Sequence, residues 1–373
     1  MHRIGFLVNP IAGMGGKVGL KGTDGQVETA IKLGAMPVAS ERASDFFQHF
    51  SRLIPKTQHK DIQFITPPGV MGAEVVRKFW INYEVLSMSL GSPTTARDTQ
   101  NAAKMLISSN VALIVFVGGD GTSIDIFREV GKAVPLLGIP SGVKMYGSVF
   151  ARTPRDATTI LQMFLASPNV QEAEIMDIDE AAYRDGRLSA DLKGIVLIPF
   201  APENMQVSKL ASPVTTNEIS AQQNIAQYII DELKPNIYYI LGPGGTVQRI
   251  TELLSLPKTA LGVDILKENR IIASDVNEAK ILQIIENKSV KIIVTPLGHQ
   301  GFLFGRGNQQ ISPQVIQKVG RDNIIVIATK NKLSSLPNRT LYVDTQDEDT
   351  DNLLRGYMRV ITDYNEVFVL KVV

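Results

Sequence analysis

The run VALIVFVGGDGTSID (111–125) places an apolar stretch directly before a loop with three glycines. The stretch VALIVFV is rich in β-branched residues and ends at glycines, which is typical of a buried β-strand. The segment SIDIFREVGK (123–132) then predicts a short helix. A strand, a glycine loop and a helix in this order form one unit of a parallel sheet. This run therefore indicates an α/β fold.

The same alternation extends through residues 1–168. Helical spacing of apolar residues predicts a helix over 40–54, and capping threonines followed by helix formers predict another over 94–109. Further strands are predicted at RIGFLV (3–8), DIQFIT (61–66) and VPLLGIP (134–140). We expect an N-terminal Rossmann-like domain, residues 1–168, with a mainly parallel sheet that has helices on both faces.

Residues 169–373 predict a second, α+β domain that is rich in strands. Two partly alternating runs flank Asp185-Gly186, which indicates a hairpin and a change of architecture. The strand-loop-helix pattern returns at 236–254, and a terminal hairpin is predicted to turn at Tyr364-Asn365.

Composition excludes several kinds of site. The net charge is +1, which favours neither a nucleic-acid partner nor a membrane surface. The chain has no cysteine, so thiolate chemistry and Cys-ligated zinc are excluded, and four histidines make a His-rich metal site an unpromising hypothesis. Apolar runs are too short to cross a bilayer, and the N-terminus does not resemble a signal peptide. We therefore expect a cytoplasmic protein.

Asp120 is the one carboxylate among the small residues of GGDGT. Glycines allow backbone amides to approach an anion, and the start of the following helix favours negative charge. A carboxylate repels phosphate, so its presence favours cation binding or proton abstraction. The alternative is an ordinary strand-to-helix turn in which Asp120 is a local cap. The combination of motif and context favours the functional interpretation.

GGDGT after a buried strand resembles the motif shared by NAD kinases and by diacylglycerol and sphingosine lipid kinases. NPIAGMGG (9–16) is similar to their first glycine loop, and IPSGVKMYGSVFA (139–151) stands where they have a third. The longer runs VNPIAGMGGKVGLKGTDG (8–25) and GFLFGRGNQQISP (301–313) resemble more specifically the ATP-NAD kinase/AcoX family. The resemblance covers most of the chain.

The resemblance implies a phosphotransferase that transfers phosphate from ATP, or another donor, to the 2′-hydroxyl of NAD, giving NADP. It implies Asp120 as the catalytic base, Mg2+ as cofactor, ATP and NAD as substrates, and a homo-oligomer. The implied phosphate- and nucleotide-binding residues are Asn9, Gly13, Gly15, Gly16, Gly118, Gly119, Gly121, Thr122 and Gly142. Lys17, Lys21 and Lys144 are equally well explained as phosphate contacts or as exposed lysines.

A second glycine loop, YILGPGGT (239–246), aligns with VFVGGDGT, and Gly244 stands where Asp120 does. We infer a phosphate or pyrophosphate site at Gly244, Gly245 and Thr246 that lacks a catalytic carboxylate. An ordinary βα turn explains the pattern equally well.

Polar residues at two further places are candidates for nucleotide binding. In GRGNQQ (305–310), Arg306 is a candidate for phosphate, and Asn308 and Gln309 for a base or nicotinamide edge. The alternative is a polar surface loop. Asp264 is a weaker candidate for holding a ribose hydroxyl. NAD kinases carry an Asn-Glu pair on the second domain, and here Asn217-Glu218 is better explained as the start of a helix.

Two other functions stay open. The second domain departs from that of NAD kinases, so the acceptor could be another small hydroxylated molecule, as the AcoX relatives and acetoin catabolism suggest. A non-catalytic dinucleotide-binding regulator is the third possibility. Asp120 argues against the regulator, because a binding loop gains nothing from a carboxylate beside phosphate.

Overall fold

A computed structural model of the chain describes residues 1–20, 26–142, 145–178, 190–206, 216–259, 261–298 and 300–373. The chain divides into two compact units. The first comprises Met1–Met14 and Gly22–Ser208, and the second comprises Gly15–Lys21 and Lys209–Val373.

The first unit is built on a five-stranded sheet in which every neighbouring pair is parallel. Its strand order is β3-β2-β1-β4-β5. The strands are β1 (His2–Val8), β2 (Ile62–Thr66), β3 (Tyr83–Val85), β4 (Leu113–Gly118) and β5 (Leu136–Pro140). The helices are α1 (Val27–Lys32), α2 (Ala39–Leu53), α3 (Lys56–His59), α4 (Ala73–Val76), α5 (Ala96–Ser108), α6 (Asp120–Val130) and α7 (Pro154–Ala166), with a 3-10 turn at Gly69–Met71.

The core of this unit explains why the apolar runs become central strands. Every residue of β4 is buried, as expected for a strand whose two faces are both covered by helices. On one face, Phe47 of α2 packs edge-on against Phe6 and Phe64, with ring centroids 4.7 and 5.1 Å away. The predicted α/β fold with an N-terminal parallel sheet is thus confirmed.

An antiparallel pair, β6 (Val170–Ile178) and β7 (Ala190–Pro199), follows α7. The predicted turn at Asp185-Gly186 lies outside the described residues. Ile175 and Val196 belong to the same core as β4, and Gly194 lies so close to the Phe127 ring that a Cβ would be 2.1 Å from its Cζ. The predicted division at residue 168 assigns this pair to the second domain, whereas its contacts lie within the first unit.

The second unit contains a nine-stranded mixed sheet with the order β10-β9-β8-β11-β13-β15-β16-β14-β12. Its strands are β8 (Tyr238–Leu241), β9 (Asp264–Lys267), β10 (Arg270–Ala273), β11 (Val290–Val294), β12 (Phe302–Phe304), β13 (Ile324–Ile327), β14 (Thr340–Val343), β15 (Gly356–Asp363) and β16 (Glu366–Val372). Its helices are α8 (Thr216–Asp231), α9 (Gly245–Leu253), α10 (Glu278–Ile284), α11 (Pro313–Val319), α12 (Lys330–Ser334) and α13 (Glu348–Leu354), with 3-10 turns at Arg321–Asn323 and Pro337–Arg339.

Within this sheet, β8, β11 and β13 run parallel to one another. Their carboxyl ends therefore meet at one edge. β15 and β16 pair antiparallel, and Asp363 pairs with Glu366, so the predicted terminal turn at Tyr364-Asn365 is confirmed. Among the described residues, no helix combines the length and apolar character needed to cross a bilayer.

Candidate active site

The first glycine loop begins where β1 ends, beside β4. The Asn9 backbone N–H donates to Val117 O at 2.9 Å and continues the ladder between the two strands. The Asn9 side-chain Nδ2 donates to Thr122 Oγ1 at 2.8 Å. Through this hydrogen bond, Asn9 joins the first glycine loop to Thr122 of the GGDGT loop.

The GGDGT loop is shorter than the sequence suggests, because α6 starts at Asp120 rather than near Ser123. Gly118 is the last residue of β4, and a Cβ there would lie 2.5 Å from Thr122 Oγ1. Glycine at this position is what allows the first helical turn to fold back against the strand end. Thr122 is buried and Gly121 is exposed.

The Asp120 carboxylate is held by backbone amides of the third loop. Its Oδ2 accepts from Tyr146 N at 2.7 Å and its Oδ1 accepts from Gly147 N at 3.1 Å. Two backbone donors fix the orientation of the carboxylate and stabilise its negative charge. Its carboxylate therefore links the start of α6 to the third loop, and the group is half-buried.

Gln206 donates hydrogen bonds to the backbone of the third loop. Its Nε2 donates to Met145 O at 3.2 Å and to Gly147 O at 3.3 Å, and the side chain is buried. These bonds orient the loop whose backbone amides donate hydrogen bonds to the Asp120 carboxylate. Gln206 and the loop residues Tyr146 and Gly147 were not singled out in the sequence, because their role depends on contacts distant along the chain.

Ser141 and Gly142 follow β5 and pack against the other two glycine loops. A Cβ on Gly119 would lie 3.5 Å from the Gly142 Cα, so the second and third loops pack glycine against glycine. A Cβ on Gly13 would lie 1.8 Å from Ser141 O. Ser141 Oγ is buried and has no hydrogen-bond partner in the described part of the chain.

The structure thus brings eight predicted residues together around the carboxyl edge of the first sheet: Asn9, Gly13, Gly118, Gly119, Asp120, Gly121, Thr122 and Gly142. Gly15 and Gly16 belong to the second unit instead. There, a Cβ on Gly16 would lie 3.3 Å from the Gln309 Cβ. Lys17 is exposed, whereas Lys21 and Lys144 lie outside the described residues.

The second predicted glycine loop lies at the carboxyl edge of the second sheet. β8 ends at Leu241, and α9 starts at Gly245 with Gly244 as its N-cap. Gly244 has φ +119°, and a Cβ there would lie 2.6 Å from Thr295 Cγ2. Gly245 is exposed and Thr246 is buried. The strand, loop and helix of the sequence alignment are therefore all present.

A cluster of charged side chains, which the sequence does not reveal, lies at the same edge. Lys332 Nζ donates to Thr295 Oγ1 at 2.9 Å. Thr329 Oγ1 donates to Glu218 Oε1 at 2.7 Å. Burial lowers the pKa of the Lys332 ammonium to about 8, a change that the Glu218 carboxylate partly opposes. Glu218, attributed above to a helix start, therefore contributes its carboxylate to this cluster.

The loop after β12 is held together by its own polar residues. Arg306 Nη2 donates to Asp344 Oδ2 at 3.1 Å, and its guanidinium lies over the Phe302 ring. Asn308 accepts from Gly305 N and donates to Leu303 O at 2.7 Å. Both side chains are buried, so neither is a surface residue of the loop.

The Asp264 carboxylate is bonded to other groups of the protein. It begins β9 rather than ending a strand, and it is fully buried. It accepts from Thr259 N and Oγ1 and from Asp275 N, and it forms a buried ion pair with Lys258. Asp264 pairs with Leu241 at the carboxyl end of β8, and its contact with a ribose stays a prediction.

No group of three or more His, Cys, Asp or Glu side chains within the described ranges could hold a metal ion. Mg2+ in phosphoryl-transfer sites needs fewer protein ligands, because one or two carboxylates and the substrate phosphates hold it. Asp120 is the carboxylate that the first edge offers for this purpose.

Two family models match the chain. The ATP-NAD kinase N-terminal domain matches residues 4–169, which include the first sheet and all three of its glycine loops. The ATP-NAD kinase C-terminal domain matches residues 234–372. A search of curated proteins and a search of solved structures each returned no match. Since the two domains match in order over most of its length, the chain belongs to the ATP-NAD kinase family.

Proposed function

We propose that this protein phosphorylates the 2′-hydroxyl of NAD with ATP, or another phosphate donor, to give NADP. The observation that carries the proposal is the Asp120 carboxylate, oriented by Tyr146 N and Gly147 N among the glycine loops of a NAD kinase family domain. Ligands of parallel sheets bind at such carboxyl edges.

In this mechanism, the glycine loops position the phosphates and Asp120 accepts the proton of the attacking hydroxyl. The amides at Gly119–Gly121 and the start of α6 favour the negative charge of the donor phosphates. The hydroxyl oxygen attacks the terminal phosphorus, the bond to the bridging oxygen breaks, and the nucleoside diphosphate leaves with the bonding electrons. Mg2+, held by Asp120 and the donor phosphates, would offset the charge on the transferred group.

The experiment is an assay of NADP formation from NAD, ATP and magnesium with the full-length protein. Asp120→Asn should lower the rate by roughly 10²–10⁴-fold, the usual contribution of a general base. Asp125→Asn is the matched control, because Asp125 lies on the same helix and pairs with Arg128 and Gln100. Far-ultraviolet circular dichroism and a melting curve would show that both variants are folded.

Undiminished NADP formation by Asp120→Asn would exclude Asp120 as the base. Failure of the wild-type protein to form NADP with every nucleoside triphosphate and with polyphosphate would contradict the NAD kinase proposal. A cytoplasmic location and a homo-oligomeric state remain part of the proposal, and size-exclusion chromatography with light scattering tests the second.

One observation favours a second candidate, a kinase of another small hydroxylated molecule. Residues 170–233 match neither family domain, and they contain the β6–β7 pair and α8. If these elements shape the acceptor site, the acceptor can differ from NAD. A screen of hydroxylated acceptors for ADP release separates the two candidates, since an Asp120-dependent signal without NAD supports the second.

A further inference from the structure

The second sheet has a carboxyl edge that the proposed reaction does not use. The parallel strands β8, β11 and β13 are followed by Gly242, Thr295 and Thr329, respectively, after intervals of at most one residue. Such an edge is where parallel α/β sheets bind ligands. All residues of this edge belong to the second unit.

Lys332 is a half-buried cation, and only part of its hydrogen-bonding capacity is used by the described residues. Of its three N–H donors, one is used by Thr295 Oγ1, and none of the ion pairs in the described ranges includes Lys332. Burial of an ammonium is unfavourable unless an acceptor or an opposite charge compensates it. Glu218 of α8 supplies a nearby negative charge, but its carboxylate accepts from Thr329 and Gln222.

The glycine loop approaches the same threonine. Gly244 packs so closely on Thr295 that no side chain larger than hydrogen fits there in the present conformation. At the neighbouring Gly245, a Cβ would meet no atom within 4 Å, and the residue is exposed. The start of α9 therefore faces open space beside the threonine that binds Lys332.

We propose that Lys332, Thr295 and the Gly242–Thr246 loop form an oxyanion site that binds the phosphate group of a small phosphorylated molecule. Lys332 supplies a charge-assisted hydrogen bond, Thr295 a hydroxyl, and the loop its backbone amides. The occupant is either free phosphate or a phosphate ester such as a nucleotide. This site requires no turnover at Asp120.

The test follows the side-chain signal of Lys332 by NMR in protein labelled with 13Cε-lysine. The signal is assigned by its loss in Lys332→Met, or in Lys332→Arg should the methionine variant not fold. Inorganic phosphate, ADP and NAD are then titrated separately into the wild-type protein. We expect phosphate or ADP to shift the Lys332 signal, whereas the signal of Lys330, exposed and paired with Glu366, stays in place.

The pattern of response identifies the source of the phosphate. A shift with inorganic phosphate indicates a free-anion site, and a shift with ADP or NAD alone indicates a nucleotide. Calorimetry should show that Lys332→Met weakens binding of the active probe roughly tenfold to a hundredfold, the value of a charge-assisted bond, whereas Lys330→Met leaves it unchanged.

The proposal is overturned if no probe shifts the Lys332 signal up to millimolar concentration, or if Lys332→Met binds as tightly as the wild type. The Asp120→Asn variant separates this proposal from the kinase proposal. It should lose turnover and keep the Lys332 response, so the failure of one proposal does not mimic the failure of the other.

Discussion

The two sheets end in similar edges, each of which places a charged side chain near a glycine loop. At the first edge, a glycine loop after β4 leads into α6, and the charged group is the Asp120 carboxylate, which accepts from two backbone amides. At the second, a glycine loop after β8 leads into α9, and the charged group is the Lys332 ammonium, which donates to Thr295. The glycine loop is common to both edges, so the two edges differ in the charged side chain that lies beside the loop.

The two charged residues also differ in how far along the chain they lie from their glycine loops. Asp120 lies inside the GGDGT loop, so one sequence motif contains both the glycines and the carboxylate. Lys332 lies on α12, five strands later in the chain, and it contacts Thr295 after β11 because β13 is parallel to β11. Aligning GGDGT with GPGGT shows glycine where the first loop has Asp120, but it cannot reveal the lysine.

The largest expected effect concerns the close packing of the first edge. Gly13 has φ +81°, and a Cβ would lie 1.8 Å from Ser141 O. Gly13→Ala should therefore destabilise the protein more than Gly34→Ala, which has φ +83° and free space around the Cβ. The control should lose about 1–2 kcal/mol from backbone strain alone. Equal losses in urea denaturation would show that the contact yields easily and that the edge is not rigid.

An intermediate effect concerns the charge of the second edge. The pKa of Lys332 is lowered from 10.5 to about 8, so the unfolded chain binds more protons between these pH values. Stability should therefore rise with pH in this window, by at most about 1.4 kcal/mol per pH unit. Below pH 8 the folded state contains the charged, buried ammonium and this gain is absent.

Urea denaturation of the wild type, Lys332→Met and Lys330→Met at several pH values measures this effect. The rise in stability between pH 8 and 10.5 should disappear in Lys332→Met and persist in Lys330→Met. If all three proteins show the same pH dependence, Lys332 titrates like an exposed lysine and the contrast between the two edges is lost.

The smallest effect distinguishes two buried serines of the first edge. Ser123 Oγ donates to Asp120 O at 2.7 Å, whereas Ser141 Oγ has no partner among the described residues. Ser123→Ala should cost about 1 kcal/mol of stability, and Ser141→Ala less than that. If the Ser141 hydroxyl contacts substrate, its removal raises KM for a nucleotide while the melting temperature stays near the wild-type value. A lower melting temperature with unchanged KM would give Ser141 a purely structural role.

Most of the fold could be predicted because the signals are local. The apolar runs became the central strands of both sheets, and the turn at Tyr364-Asn365 is where the sequence places it. The start of α6 was predicted three residues late, because a helix that begins at an aspartate after glycines has no apolar periodicity in its first turn. The placement of the β6–β7 pair depends on distant contacts such as Gly194 with Phe127, which periodicity does not reveal.

The candidate site was predicted unevenly for the same reason. Asn9 and Thr122 were found by their motifs, and the structure joins them by a hydrogen bond. Arg306 and Asn308 look like ligand-binding residues in a glycine loop, but their partners are Asp344 and the backbone of their own loop. Whether a polar side chain binds a ligand or the protein itself depends on residues that are distant in sequence.

The division of the first glycine loop between the units has a consequence for synthesis on the ribosome. Gly15–Lys21 belongs to the second unit, where Gly16 packs on Gln309 and Lys17 O accepts from Glu278 N. Its partners are synthesised later, because Glu278 and Gln309 lie far towards the C-terminal side of this segment. Contacts between such distant residues form slowly because a long loop must close first. The strands and helices of the first unit can therefore form during synthesis while Gly15–Lys21 still lacks its partners in the second unit.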